Sequence, residues 1–144
     1  MKHIVTIFAA FAIALALPAC SDAKTETPAK AAAVATTTQI DHVNAQQAAD
    51  IIKKQDGIVV LDVRTPGEFA SGHIDGAVNV DFKNRNFENE LSKFDKNQTY
   101  LIHCRSGGRS TASLKSFKKL GFKHIIHMDG GMIGWNKANL PTVN

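Results

Sequence analysis

One cysteine stands in a segment whose residue types suit thiol chemistry. Cys104 ends an apolar run and precedes two arginines and two glycines, namely Arg105, Gly107, Gly108 and Arg109. Glycines let several backbone N–H groups point at one centre, and a helix N-terminus adds positive charge. Such surroundings lower the pKa of a cysteine from about 8.5 to between about 3.5 and 7.5. We therefore expect Cys104 to be a nucleophile that attacks a small anion; the alternative is a buried packing residue.

Alternating apolar runs and amphipathic stretches surround this segment from Gln39 onward. They predict strands over residues 58–61, 77–80, 99–103 and 124–128, and helices over residues 44–54, 65–69, 87–94, 110–120 and 132–138. This alternation predicts an α/β fold with a mainly parallel sheet flanked by helices on both faces. Ligands of such sheets bind beyond the carboxyl ends of the strands. We expect Asp62, Cys104 and Asp129 to border one crevice there.

Three segments resemble the rhodanese-like sulfurtransferases. Residues 102–110, IHCRSGGRS, resemble the active-site loop of that family, residues 61–77 its first signature and residues 127–135 its C-terminal signature. The resemblance covers residues 39–143, with one departure at Asn139, where the family often has glycine. It implies that Cys104 takes the outer sulfur of a donor such as thiosulfate as a persulfide, which cyanide or a thiol then removes. It also implies that the rest of the loop binds substrate: Arg105, Ser106, Gly107, Gly108 and Arg109.

Two other functions are kept as alternatives. Phosphatases of the cell-division-cycle type resemble rhodaneses but have five residues between cysteine and arginine, whereas four separate Cys104 from Arg109. The shorter loop suits a sulfur atom rather than a phosphate, and it contains no aspartate that could protonate a leaving alcohol. A phosphatase or arsenate reductase is therefore the less favoured alternative. The other is a binding module or persulfide carrier that delivers sulfur to a partner protein, because a fold does not determine a function.

Charged residues near the loop are expected to support it. A carboxylate beside a thiolate would raise the pKa of the thiol, so Asp62, Arg64 and Glu68 are predicted to form an ion-pair and capping network under the loop. His73 is predicted to fix a turn by hydrogen bonding. His103 adjoins the cysteine but should face the opposite side of its strand. We find no His/Cys cluster with metal-ligand spacing and no nucleotide motif, so we expect no metal and no cofactor.

The N-terminus resembles that of a bacterial lipoprotein. The apolar run 4–17 has fourteen residues, fewer than the roughly 20 that span a bilayer, and is typical of a signal peptide. The sequence Leu17-Pro18-Ala19-Cys20 resembles a lipobox, which implies cleavage after residue 19 and lipidation of Cys20. Ser21 follows the cysteine, which favours the outer membrane. We expect a periplasm-facing lipoprotein of the cell envelope; the alternative is a soluble periplasmic protein.

Length, composition and charge limit the remaining choices. Residues 20–38 are rich in Ala and Thr and are predicted to form a flexible linker to one domain at residues 39–144. The formal charge of +4 is too small to indicate nucleic-acid binding. The expected partners are a small sulfur-containing anion, a cyanide or thiol acceptor, and the lipid bilayer through acylated Cys20; a protein acceptor is the alternative.

Overall fold

The computed structural model describes residues 37–144. Strands and helices alternate along it, in the order β1 Gln39–Val43, α1 Ala45–Lys54, β2 Val59–Asp62, α2 Pro66–Ala70, β3 Val78–Asn79, α3 Phe87–Ser92, β4 Thr99–His103, α4 Gly108–Lys119, β5 His124–Met128 and α5 Gly131–Lys137. The predicted signal peptide, and the predicted linker up to residue 36, lie outside the described residues. Within residues 37–144, no helix is both long and apolar enough to cross a membrane.

A parallel sheet of five strands forms the centre of this part of the chain. The strands lie in the order β1-β5-β4-β2-β3, and each neighbouring pair is parallel. Parallel strands place their carboxyl ends at one edge of the sheet. The residues that follow β2, β4 and β5 therefore meet at one edge, with the end of β4 between the other two.

The two faces of the sheet carry separate apolar clusters. On one face, Ile102 and Cys104 pack with buried side chains of α3 and α4. On the other face, Leu101 packs with buried side chains of α1 and α5. Successive side chains of a strand point to opposite faces, and this alternation along β4 assigns the thiol to the face that α3 and α4 cover.

The predicted elements did not include β1. Its sequence QIDHV contains no continuous apolar run, and two of its five residues are exposed. The strand lies at the edge of the sheet, where it pairs with β5. An edge strand can carry polar side chains because one of its sides faces solvent, so the hydrophobic pattern there is weak.

Element boundaries differ from the predicted ones by a few residues. Helix α4 begins at Gly108 rather than at residue 110, so Ser110 lies inside its first turn. Helix α3 ends at Ser92 rather than at residue 94. Asn139 has φ 53, a left-handed conformation that glycine adopts freely and asparagine tolerates better than most residues. The departure from glycine at this position therefore keeps the same turn.

Candidate active site

Backbone geometry directs the loop after β4 at the thiol. Cys104 is the first residue beyond the strand, and only 1% of its surface is exposed. Gly107 has φ 96, which favours glycine, and its backbone N–H donates to Cys104 Sγ at 3.2 Å. The carbonyl of Gly107 accepts from the N–H of Thr111 at 2.8 Å. One residue thus turns its N–H towards the sulfur and its carbonyl into the first turn of α4.

The loop lowers the pKa of the Cys104 thiol in spite of its burial. Burial alone raises this pKa, because it disfavours the charged form. The side chain of Ser110 and the backbone N–H groups of Ser110, Ser106 and Gly107 lower it, and together they hold the pKa below the ordinary value. A larger fraction of Cys104 is therefore thiolate at neutral pH than in an exposed cysteine.

The two loop arginines have different surroundings. Arg109 donates two hydrogen bonds of 2.7 Å to the two carboxylate oxygens of Glu68, and this contact lowers the pKa of Glu68 to about 2. Glu68 also accepts from the backbone N–H of Thr65 at the start of α2. Arg105 is exposed and, with Glu68 and Met132, borders a cleft of about 310 Å³. Arg109 therefore ties α4 to α2, whereas Arg105 is exposed beside this cleft.

The predicted ion-pair and capping network of Asp62, Arg64 and Glu68 is present in part: the Asp62–Arg64 pair forms and Glu68 caps α2, but the three residues do not form one network. Asp62 and Arg64 form a buried ion pair of 2.6 Å, and Arg64 also donates to the carbonyl of Gly72 at 2.8 Å. Glu68 pairs with Arg109 instead. Asp62 and His103 are register partners in the sheet, so by alternation Asp62 lies on the face opposite Cys104. The expectation that Asp62 and the thiol border one crevice is therefore wrong.

The two histidines singled out in the sequence lie away from the sulfur. His73 Nδ1 is 3.1 Å from the carbonyl oxygen of Phe69, and its ring stacks on that of Phe69 with centroids 3.8 Å apart. His103 is buried with its Nε2 3.9 Å from Asp62 Oδ2. Burial lowers the pKa of His103 and outweighs the opposing attraction of Asp62.

A third histidine, which the sequence analysis did not select, contacts the loop. His127 Nε2 lies 2.9 Å from Ser110 Oγ, and Ser110 Oγ lies 3.5 Å from Cys104 Sγ. His127 Nδ1 lies 2.7 Å from Asp129 Oδ1. A strand-parity count would have indicated that His127 shares a face with Ile125, towards α4. Ser110 could not be found in this way, because its helix was predicted to begin at that residue.

Asp129 also binds a second imidazole. His42 Nδ1 of β1 is 3.1 Å from Asp129 Oδ1, and the ligand atoms of His42, His127 and Asp129 lie within 4.8 Å of one another. Three such groups could surround a cation, but the facing nitrogen of each imidazole already has a hydrogen-bond partner in the carboxylate. We therefore assign this cluster as hydrogen-bonded and place no metal there.

A larger cleft lies apart from the thiol. It has a volume of about 550 Å³ and is bordered by α1, by Trp135 and by the C-terminal residues 140–143. No residue of the 104–110 loop borders it. The chemistry of the loop therefore depends on the loop and its neighbours rather than on this cleft.

The start of α5 packs against the outside of the loop. The N–H groups of Met132 and Ile133 donate to the carbonyls of Cys104 and Arg105, each at 2.9 Å. Gly131 has φ 52, and a Cβ at this position would collide with the carbonyl oxygen of Cys104. The absence of a side chain at Gly131 therefore allows two loop carbonyls to be held outward, away from the sulfur.

Comparisons with known proteins agree with this geometry. A family model described as Rhodanese-like domain matches residues 44–138. An uncharacterized protein of Synechocystis sp. is 32% identical over 76% of this chain and 60% of its own length. Thiosulfate sulfurtransferase 16, chloroplastic, of Arabidopsis thaliana is 37% identical over 57% of this chain and 77% of its own length. The crystal structure of a rhodanese-related protein from Thermoplasma volcanium matches with a TM-score of 0.63 at 27% identity, over 72% of this chain and 97% of that chain.

We predict that Gly131→Ala loosens the loop. The added Cβ collides with the loop backbone, and a non-glycine residue at positive φ costs on the order of 1–3 kcal/mol. Denaturant unfolding should show a loss of this size, and the alkylation rate of Cys104 at pH 7 should change with it. Gly134→Ala in the same helix is the matched control, since its Cβ would be at least 3.7 Å from its neighbours. Equal stability and equal thiol reactivity of the two variants would contradict the role of Gly131.

Proposed function

The chain belongs to the rhodanese-like domain family, whose model matches residues 44–138, and we propose that it transfers sulfane sulfur through a Cys104 persulfide. The observation that carries this proposal is the sulfur of Cys104, which accepts hydrogen bonds from loop N–H groups and has a lowered pKa. A thiolate held in this way is both a nucleophile and a good leaving group, and sulfur transfer uses it as each in turn.

In the first half-reaction, Cys104 thiolate attacks the outer sulfur of the donor. With thiosulfate, the new S–S bond forms at Cys104 as the S–S bond of thiosulfate breaks, and sulfite leaves with the electron pair. The product is a Cys104 persulfide with a negative terminal sulfur. Backbone N–H groups that already point into the loop stabilise such a charge, because they need no reorganisation.

In the second half-reaction, the acceptor removes that sulfur. Cyanide or a thiolate attacks the terminal sulfur, the S–S bond to Cys104 breaks, and Cys104 leaves as a thiolate. The same N–H donors that lower the pKa of the thiol stabilise it as the leaving group. The resting enzyme is thereby restored without a cofactor.

The two arginines of the loop have different proposed roles, one in donor binding and the other in support of the loop. We assign Arg105, an exposed residue next to the nucleophile in the chain, to the capture of an anionic donor. Ser106, Gly107 and Gly108 complete the cradle through their backbone. Arg109 is engaged by Glu68 in a paired geometry, so we assign it to the support of the loop and to its positive field rather than to direct donor binding.

The same geometry does not favour phosphate chemistry. Four residues separate Cys104 from Arg109, and none of them is an aspartate. Both ends of the Arg109 guanidinium already bind Glu68, whereas a phosphatase would need them for its substrate. A persulfide carrier with a protein acceptor is the second candidate, because Arg105, Ser106 and Gly108 are exposed and within reach of another protein.

We also propose that the protein is exported and anchored. The support is the sequence Leu17-Pro18-Ala19-Cys20 at the end of the apolar run 4–17, with residues 20–38 as a linker to the domain. Acylation of Cys20 with more than one chain would anchor the protein stably, since each buried CH₂ contributes about 0.8 kcal/mol. The proposed site of action is the periplasmic side of the outer membrane, and secretion without an anchor is the alternative.

We predict that Cys104→Ser abolishes sulfur transfer and leaves the fold intact. Purified wild-type protein, incubated with thiosulfate, should gain the mass of one sulfur atom and lose it when cyanide is added, with thiocyanate as product. The serine variant should show neither change, because its hydroxyl is not ionised at neutral pH. Persulfide on the serine variant would contradict Cys104 as the nucleophile. Absence of persulfide on the wild type with every sulfane donor tried would contradict the proposed function.

We predict that Arg105→Ala slows donor capture. A charged hydrogen bond contributes about 1.5–3 kcal/mol, so kcat/KM for thiosulfate should fall by roughly 10- to 150-fold. Raising the ionic strength should slow the wild type more than the variant, because salt screens the attraction between Arg105 and the donor, which the variant lacks. Single-turnover persulfide formation at two ionic strengths measures both effects. Arg85→Ala, at an exposed position outside the loop, is the matched control, and identical behaviour of the two variants would show that the backbone cradle alone captures the donor.

We predict that Cys20→Ala releases the protein from the membrane. In cells fed labelled palmitate, the wild type should be labelled and partition with detergent, because its acyl chains are buried in lipid. The variant should lose the label and move from the detergent fraction to the soluble fraction. An unlabelled wild type that is soluble in the periplasm would support secretion without an anchor.

A further inference from the structure

A buried thiol that acts as a nucleophile needs a route for its proton. Cys104 is 1% exposed, and an anionic donor at the mouth of the loop would separate it further from water. The proton therefore needs an acceptor behind the loop. Ser110 lies there, with its Oγ 3.5 Å from the sulfur and no exposed surface.

Ser110 is part of a chain of short contacts that leads from the sulfur to Asp129. Its Oγ is 2.9 Å from His127 Nε2, and His127 Nδ1 is 2.7 Å from Asp129 Oδ1. His127 is 1% exposed, whereas 56% of the Asp129 side chain is exposed. The chain thus begins at a buried sulfur and ends at a carboxylate in contact with solvent.

The partners determine where the hydrogens must lie. Ionised Asp129 only accepts, so His127 Nδ1 carries a hydrogen, and Nε2 of the neutral ring is an acceptor. Ser110 can donate its single hydrogen either to Nε2 or to the carbonyl oxygen of Gly107, which also lies 2.9 Å from its Oγ. In the first orientation its oxygen can accept from the thiol. When the ring is protonated, Nε2 donates to Ser110, which can turn its own hydrogen to a thiolate. Each of the two protonation states therefore has a consistent set of hydrogen bonds.

We propose that Ser110, His127 and Asp129 form a proton relay that takes the proton of the Cys104 thiol to His127. The S–H bond of Cys104 breaks as the proton moves to Ser110 Oγ, and the serine hydroxyl proton moves to His127 Nε2. The sulfur keeps the electron pair, the ring becomes imidazolium, and Asp129 stabilises it through Nδ1–H. No oxidant or co-reactant is consumed. The use of this step in sulfur transfer rests on the proposed function, but the proton transfer itself does not.

Other polar groups around His127 are compatible with this role. From β1, His42 shares Asp129 at 3.1 Å, and its ring lies edge-on to His127 with centroids 5.1 Å apart. From α4, Thr111 Oγ1 lies 3.4 Å from His127 Nε2, a longer contact than that of Ser110. Arg109 of α4 is paired with Glu68. The charged or titratable groups near the ring in residues 37–144 are thus Asp129, His42 and, through Ser110, the thiol.

The direct test is the pH profile of Cys104 alkylation by iodoacetamide. Without an imidazolium to favour the thiolate, His127→Asn should react about tenfold more slowly than wild type at pH 6, equivalent to one pKa unit of the thiol. The two rates should converge at high pH, where the thiol is ionised in both proteins. Asp129→Asn should shift the profile in the same direction, because the carboxylate that stabilises the charged ring is lost.

His124→Asn is the matched control, since His124 lies on the same strand and also binds a carboxylate, Asp41 at 2.7 Å. Its profile should match that of wild type. A His127→Asn profile that coincides with wild type would overturn the relay. A His127→Asn alkylation rate that is reduced by the same factor at every pH would also overturn the relay, because that result indicates a structural effect alone. A shift of the alkylation pH profile in His124→Asn equal to that in His127→Asn would also count against a proton path that runs specifically through His127.

A measurement on the wild type covers the case in which the variants do not fold. Nitrogen NMR of the imidazoles, before and after Cys104 is blocked with a methylthio group, reports whether the ring responds to the thiol. We expect His127 Nε2 to change from the protonated towards the unprotonated form at pH 6, and His124 to stay unchanged. An unchanged His127 overturns the relay. A protein that passes these tests but forms no persulfide retains the relay and refutes the proposed function.

Discussion

A buried thiol whose pKa is nevertheless held below its ordinary value is the feature on which the rest of this domain depends. Removing the thiolate of Cys104 from water is unfavourable, and burial alone raises the pKa of the group. The loop reverses this by pointing backbone N–H groups inward, so the peptide groups of residues 106–110 must keep their orientation. Much of the surrounding structure holds the peptide groups of this loop in place.

Three contacts outside the loop hold them. Helix α5 takes the outward carbonyls of Cys104 and Arg105, which it can do because Gly131 carries no side chain. Glu68 of α2 holds Arg109 through two hydrogen bonds. His127 of β5 contacts Ser110 from behind. Each contact comes from a different element, and the parallel sheet brings these elements to the same edge.

The fold class and the place of the cysteine loop after β4 could be predicted from sequence because their signals are local. The predicted rhodanese-like α/β fold is confirmed: strands β2, β4 and β5 have apolar runs, and the glycines and arginines stand next to Cys104 in the chain. Strand β1 was missed because a polar edge strand has no strong hydrophobic pattern. The contact of Glu68 with Arg109 was missed because two arginines, Arg64 and Arg109, could pair with this carboxylate, and only tertiary packing chooses Arg109. His127 was missed because its contact with Ser110 joins residues 17 apart in the chain.

The Glu68–Arg109 pair joins residues 41 apart in the chain, and the carbonyls of the loop are held by a helix that follows it. The acidity of the thiol is therefore a product of completed tertiary structure. An exposed cysteine is mostly protonated at neutral pH and reacts slowly, and we expect Cys104 to behave in this way until α2, α5 and β5 have docked on β4. A chain that is still folding would thus carry a thiol of low reactivity. Its lack of structure, rather than burial, would protect this thiol from premature oxidation and from mixed-disulfide formation.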